Sequence, residues 1–240
     1  MKKKVAIIFF GLTRSLEKNI DSMKENLFNE LDKNSIQYDI FIHTYKIYGE
    51  YINERAGENT ENYKNEDVEK LLEPKFFLWD DQKTIEDSIN FDNYYKKLGQ
   101  WTGGETAKYV KQLIKNMVLA LYSKKQITLI FEKEKDNYDF AIIMRPDMFL
   151  DDKINIKHIM EQLNENNIII PKKGWFRGCN DQFVISKPKN IIYYGTLFDD
   201  LQPYSEKKSI VSEVYLYDKL KEKNITILPF DIKYHLERYK

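Results

Sequence analysis

The run Val5-Ala6-Ile7-Ile8-Phe9-Phe10, closed by Gly11, is apolar at every position and rich in β-branched and aromatic side chains. A strand with one wet face alternates apolar and polar residues. An unbroken run of this kind reads as a strand covered on both faces, as in a parallel sheet. After it, Leu16, Ile20, Met23, Leu27 and Leu31 recur at helical spacing, with Ser15 placed as an N-cap. A second strand follows at 38–43. Strand, helix and strand within 45 residues form the βαβ signature.

Working outward, residues 46–65 are polar, contain Gly49 and Gly57, and read as a mobile loop. A short helix at 67–72 stops before Pro74, and a strand at 75–79 ends in Asp80-Asp81. An irregular stretch runs on to Gly103-Gly104. A long helix starts near Glu105, with Val110, Leu113, Met117, Ala120 and Leu121 on one face. Residues 126–131 read either as its continuation or as a strand. The run Tyr138-Asp-Phe-Ala-Ile-Ile-Met144 is the clearest interior strand, and it leads into Arg145-Pro146-Asp147. Short strands at 168–170 and 182–185 flank residues 172–181. A helix near 209–223, a strand at 225–228 and a charged tail close the sequence. No repeat or composition break divides it, so the expected architecture is one α/β domain, a mixed sheet flanked by helices with an antiparallel extension.

Charge and cysteine usage narrow the function classes. Lys+Arg and Asp+Glu are both 38, and this lack of basic excess argues against a nucleic-acid partner. Cys179 is the only cysteine, which excludes an internal disulfide and a thiolate-cluster zinc site and suits a reducing compartment. Lys2-Lys3-Lys4 before the first apolar run imitates a signal peptide, but the run breaks at Gly11 and no small-x-small site follows. No run approaches the ~20 apolar residues of a membrane span, so the expectation is a cytoplasmic protein without a transmembrane segment.

In open α/β sheets ligands sit beyond the carboxyl ends of the strands. Four such ends are polar: 11–14, His43-Thr44, Asp80-Asp81 and 145–147. Gly11 allows close backbone approach, and Arg14 near a helix start can meet a phosphate. Neither a Walker-type loop nor GxGxxG is present. Pro146 holds Arg145 extended, so Arg145 and Asp147 leave the strand end as a guanidinium for a diphosphate and a carboxylate for a hard cation, or else as a pair closing the turn. Asp147, read as an exposed strand-end residue, is expected to be replaceable with little loss of stability. Asp151 and Asp152 read first as loop charges or a cap. Gly178-Cys179-Asn180-Asp181-Gln182-Phe183 precedes an apolar strand, and Asp181 there is either a general base or an Asx-turn residue. His235 is either a ligand or structural. Trp101, Trp175 and Phe176 either stack on a sugar or base or anchor the core. Glu213 faces either the pocket or solvent.

Three segments in this order, Val5 to Arg14 (strand, then Gly-x-x-Arg), Tyr138 to Asp147 (Tyr-Asp-x-x-Ile-x-x-Arg-Pro-Asp) and Gly178 to Phe183 (Gly-x-Asn-Asp-Gln-Phe), resemble the small GT-A glycosyltransferases of bacterial surface-polysaccharide clusters and large DNA viruses. The resemblance implies a GT-A-like fold with a nucleoside diphosphate sugar donor over residues 1–147 and a glycan acceptor over 148–240. It implies donor contacts from Phe10, Gly11, Arg14, Thr44, Asp80, Arg145 and Asn180, and Asp181 as catalytic base if the reaction inverts. A divalent cation, Mn or Mg, would sit on Asp147 with His235. One departure stands out: the family's Asp-x-Asp has Arg145 at its first position here, so the metal is less secure than the donor site. A non-catalytic nucleotide- or glycan-binding module and a sugar nucleotidyltransferase are the alternatives.

Overall fold

The computed structural model describes residues 2–98 and 106–238. The first unit is β1 (Lys4–Phe10), α1 (Leu16–Met23), a π-helical turn (Lys24–Phe28), α2 (Asn29–Lys33) and β2 (Gln37–Lys46). A hairpin of β3 (Tyr51–Asn53) and β4 (Glu58–Thr60) follows, then α3 (Val68–Leu72), β5 (Phe76–Asp81) and α4 (Gln82–Ser88). The long α5 (Ala107–Glu134) crosses back to β6 (Phe140–Met144) and β7 (Met148–Leu150). The remainder is α6 (Ile156–Gln162), β8 (Asn167–Pro171), β9 (Phe183–Ser186), α7 (Pro188–Gly195), α8 (Phe198–Ser205), α9 (Ser212–Glu222), β10 (Thr226–Phe230) and β11 (Tyr234–Leu236).

Seven strands form one sheet in the order β10-β8-β9-β6-β1-β2-β5. All neighbours pair in parallel except β9, which runs against both β6 and β8. The expected antiparallel extension is therefore one reversed strand inside the sheet. The mixed α/β sheet flanked by helices stands. Alternation along β1 explains its all-apolar sequence: Ala6, Ile8 and Phe10 enter the core under α5, α7, α8 and α9, while Val5, Ile7 and Phe9 enter the opposite core under α1, α2, α3 and α6. All six are buried, and full burial of one such large apolar side chain is worth roughly 1.5–3 kcal/mol.

Several expectations need correcting. Residues 46–65 contain the β3–β4 hairpin, and the stretch after β5 contains α4 and a 3₁₀ turn at Phe91–Tyr94. Residues 126–131 continue α5, so that reading is a helix. Ser15 occupies the N-cap of α1, but its hydroxyl donates to the Glu237 carbonyl at 3.0 Å. The capping is done by Glu66, whose two oxygens accept the Leu16 and Glu17 amides at 2.9 Å each. Burial pushes the Glu66 carboxyl up to about 7 against the pull of those amides. The charged tail carries β11, antiparallel to β7. Among the described residues no helix is long and apolar enough to cross a membrane.

Candidate functional site

The parallel order places a switch point between β1 and β6, because the chain leaves β1 toward β2 and β5 on one side and returns to β6 on the other. Ligands of open α/β sheets lie at the carboxyl ends of strands at such a point. A cavity of about 440 Å³ opens there. Phe10 at the end of β1, with Gly11 and Arg14 after it, lines the cavity together with Arg145 and Pro146 after β6, and the hairpin, α4 and α5 supply its other walls. Gly11 has φ +92°, a left-handed backbone that favours glycine, and its amide donates to Ser123 Oγ at 2.8 Å. Ser123 also lies 2.8 Å from His43 Nδ1, so one α5 hydroxyl ties the end of β1 to β2.

The electrostatic centre is Asp147, which is 1% exposed. Its Oδ2 accepts from Arg14 Nη2 at 2.8 Å and Nε at 3.2 Å, from Arg145 Nη2 at 2.5 Å and from Arg238 Nη1 at 3.2 Å. Its Oδ1 accepts from Arg145 Nε at 2.7 Å. Burial raises the carboxyl, but Arg145, Arg14 and Arg238 outweigh it and hold it well below the usual carboxylate range. Arg14 bridges onward to Tyr51 Oη at 3.0 Å and Glu58 Oε2 at 2.8 Å, both on the hairpin. Burial opposes its charge, yet Asp147, Tyr51 and Glu58 raise it above its ordinary value. Arg238 is lowered to about 10 by burial and by repulsion from Arg14 and Arg145. The reading of Asp147 as an exposed residue is thus overturned: Pro146 turns its side chain under the guanidiniums instead of into solvent.

A metal does not fit this carboxylate. Both Asp147 oxygens are engaged by cationic donors, so a cation bound there would face three guanidiniums. Among the described residues no group of three His, Cys, Asp or Glu is placed to hold a metal ion. His235 stacks on Phe149 with ring centroids 4.9 Å apart, and its nitrogens meet Asp151 Oδ2 at 3.1 Å and Glu237 Oε1 at 3.3 Å. Its role is to fasten β11 to β7, where the Asp152 carboxylate also accepts the Lys233 amide.

Comparison with known proteins adds little. No family model matches the chain, and no curated protein does. Among solved structures, a "putative nucleotide-diphospho-sugar transferase" from Desulfovibrio desulfuricans G20 is similar over 96% of this chain and 80% of that one, at 12% identity and TM-score 0.42. A likeness that weak decides nothing about the site.

Other expected site residues fall outside the cavity wall. Thr44 is buried 3.4 Å from the Thr13 hydroxyl, and Asp80 Oδ2 sits 3.0 Å from His43 Nε2 near the sheet edge. Asn180 is a structural pin: its Nδ2 donates to the Lys173 carbonyl and Tyr234 Oη, and its Oδ1 accepts the Gln182 and Phe183 amides. Asp181 stays close to the site, because the neighbouring Gln182 carbonyl accepts the Arg145 amide at 3.2 Å. Its Oδ2 accepts from the Ser212 hydroxyl at the start of α9. Glu213 is partly buried, and its carbonyl accepts the Cys179 amide at 3.1 Å. Trp175 and Phe176 are 38% and 50% exposed, which rules out core anchoring for both. Trp101 lies outside the described residues.

Three residues of the site carry no usable signal in the amino-acid order. Tyr51, Glu58 and Arg238 lie in polar segments without periodicity. Lys124 is different: it falls on the buried stripe of α5 with Met117, Leu121, Thr128 and Phe131. A lysine at that register marks a buried amine. Its Nζ sits 4.4 Å from the Phe10 ring centroid and 4.1 Å from that of Tyr194. Burial lowers it to about 8, with Asp181 pulling the other way. Its folded value is below the ordinary 10.5, so between pH 8 and about 10 the unfolded chain holds a proton that the folded chain has released, and stability rises with pH. Lys124→Met is expected to fold at least as stably as the parent at pH 7 and to lose that rise. Urea unfolding at pH 7, 8 and 9.5 measures both, and an unchanged slope would place the proton elsewhere.

Proposed function

We propose that this chain is a glycosyltransferase that moves a sugar from a nucleoside diphosphate sugar to a hydroxyl of a glycan acceptor. The observation that carries the reading is the cavity at the β1–β6 switch point, with Arg145 and Arg238 at one end and hydrogen-bonding side chains such as Gln112 and Asn116 along its wall. Its ~440 Å³ is within the ~300–1,000 Å³ of small-molecule sites. Guanidiniums grip phosphate oxygens bidentately. Tyr109, 39% exposed on the cavity wall, offers a face for a base. Asn53 is 6% exposed in that wall, and its Oδ1 lacks a hydrogen-bond partner among the described residues. A ribose or sugar hydroxyl would supply one.

In the transfer, the bond from the anomeric carbon to the diphosphate oxygen breaks and a bond to the acceptor oxygen forms. The nucleoside diphosphate departs with the bonding pair, and Arg145 and Arg238 meet its growing negative charge. Asp181 takes the acceptor proton if the reaction inverts. The acceptor then lies over the second half of the sheet, near the exposed Trp175 and Phe176.

The test is a panel of nucleoside diphosphate sugars assayed for release of nucleoside diphosphate. One donor class should be consumed, and consumption of none would overturn the reading. Asp181→Asn should slow transfer by ~10²–10⁴-fold while nucleotide affinity holds, and the acid limb of the pH–rate profile should disappear. A variant that transfers at the parental rate removes Asp181 from the chemistry.

A further inference from the structure

We infer that the donor diphosphate is held by the protein's own guanidiniums and that the site works without a divalent cation. The inference rests on the glycosyltransferase reading and adds the identity of the group that neutralises the leaving diphosphate. Three observations lead to it.

The carboxylate expected to hold the cation is committed elsewhere. Both carboxylate oxygens of Asp147 accept from guanidinium N–H groups, Oδ2 from Arg14, Arg145 and Arg238 and Oδ1 from Arg145. A hard cation needs oxygens at about 2.0–2.6 Å, which would set it against nitrogens only 2.5–3.2 Å from the same oxygens.

The charges in the cluster also do not balance. Among the described residues, Arg14, Arg145 and Arg238 face Asp147 and Glu58, and their ion pairs leave one positive charge over. Lys115 on the cavity wall is answered by Glu86 at 2.7 Å, so it does not change the surplus. Arg238 is lowered first by burial, and repulsion from Arg14 and Arg145 adds to it. An arriving diphosphate relieves that repulsion.

The third observation is exposure. The Arg14 side chain is 8% exposed and serves Asp147 and the hairpin, whereas Arg145 and Arg238 keep 25% and 26% of theirs open and line the cavity. Asp147 thus acts as the anchor that fixes two guanidinium forks toward the ligand. Arginine supplies positive charge and a fixed geometry at once, the two services a metal would bring.

Calorimetric titration of the full chain with UDP, GDP, ADP, CDP and dTDP, each with EDTA and with MnCl₂, tests this. At least one diphosphate should bind with the same affinity, within about twofold, under both conditions, and its monophosphate should bind about tenfold or more weakly. Arg238→Ala and Arg145→Ala should each weaken binding by about tenfold or more, and Arg238→Lys should recover part of the loss. Arg238 lies after β11, outside both cores, so its variants remain readable if Arg145→Ala fails to fold. Binding that needs manganese, or that survives both alanine variants, overturns the inference and leaves the glycosyltransferase reading standing. If no nucleoside diphosphate binds under either condition, both fall.

Discussion

Asp147→Ala should lower the folding free energy by about 3–5 kcal/mol, the usual result of removing one partner from a buried charge cluster and leaving the others uncompensated. For a chain of this size that is a Tm drop on the order of 10 °C. The reason is local: Arg14, Arg145 and Arg238 converge on this carboxylate, and without it Glu58 is the one carboxylate among the described residues that is paired with any of them. The pH dependence has a definite sign. The folded carboxyl is held below its unfolded value of about 3.9, so its contribution is complete above that pH and is lost as pH falls further. Asp147→Asn should therefore unfold more readily at pH 7 and show a flatter acid limb than the parent. Urea unfolding from pH 7 down to pH 3 measures both, and a loss under about 1 kcal/mol for the alanine variant would contradict the buried cluster. Inactivity of an Asp147 variant is then no evidence of a metal ligand, because the arginines it positions are lost with it.

Gly178→Ala is expected to be comparably damaging for a different reason. A β-carbon at Gly178 would stand 2.0 Å from the Glu213 carbonyl oxygen and 2.6 Å from the Val214 nitrogen, both backbone atoms of α9. No rotamer change relieves such contacts, so the helix must shift. Overpacking commonly costs about 1–3 kcal/mol, and a clash against backbone belongs at the upper end or beyond. The shift would also break the Cys179 amide to Glu213 carbonyl bond and pull Ser212 from Asp181. Tm and the exchange rate of the Cys179 amide should both change, and a variant melting within a degree or so of the parent would show that α9 does not sit so close.

Fold and site are not equally legible in the amino-acid order. The two-sided burial of β1 and β6 is plain because residues 5–10 and 140–144 are apolar throughout and the runs are of strand length, rich in β-branched and aromatic side chains. Arg145 and Gly11 are also readable, since position after a buried strand places them at the carboxyl edge of the sheet. The hairpin is hidden because Tyr51-Ile52-Asn53 and Glu58-Asn59-Thr60 are too short for alternation and its partner charge, Arg14, lies far away in sequence. Burial of Asp147 is invisible for the same reason: a carboxylate after proline reads as exposed until the residues that neutralise it are known. Asn180 misleads in the opposite sense, because its side chain makes the hydrogen bonds of a loop that needs pinning, and chemistry and architecture use the same amide.

The return of β11 across β7 also bears on how the molecule comes into being. The Glu237 amide reaches the Asp147 carbonyl, the Ser15 hydroxyl reaches the Glu237 carbonyl, and Arg238 completes the cluster begun by Arg14. Contacts spanning nearly the whole chain form slowly, because distant segments must find each other before their energy is gained. A strand of three residues such as β11 is also a weak unit that opens locally before the sheet does. Completion of the cavity is therefore tied to the pairing of β11 with β7. With β11 frayed, Arg238 leaves the cavity lining while Arg14 can still pair with Asp147, so the cavity wall is complete only when β11 is in place.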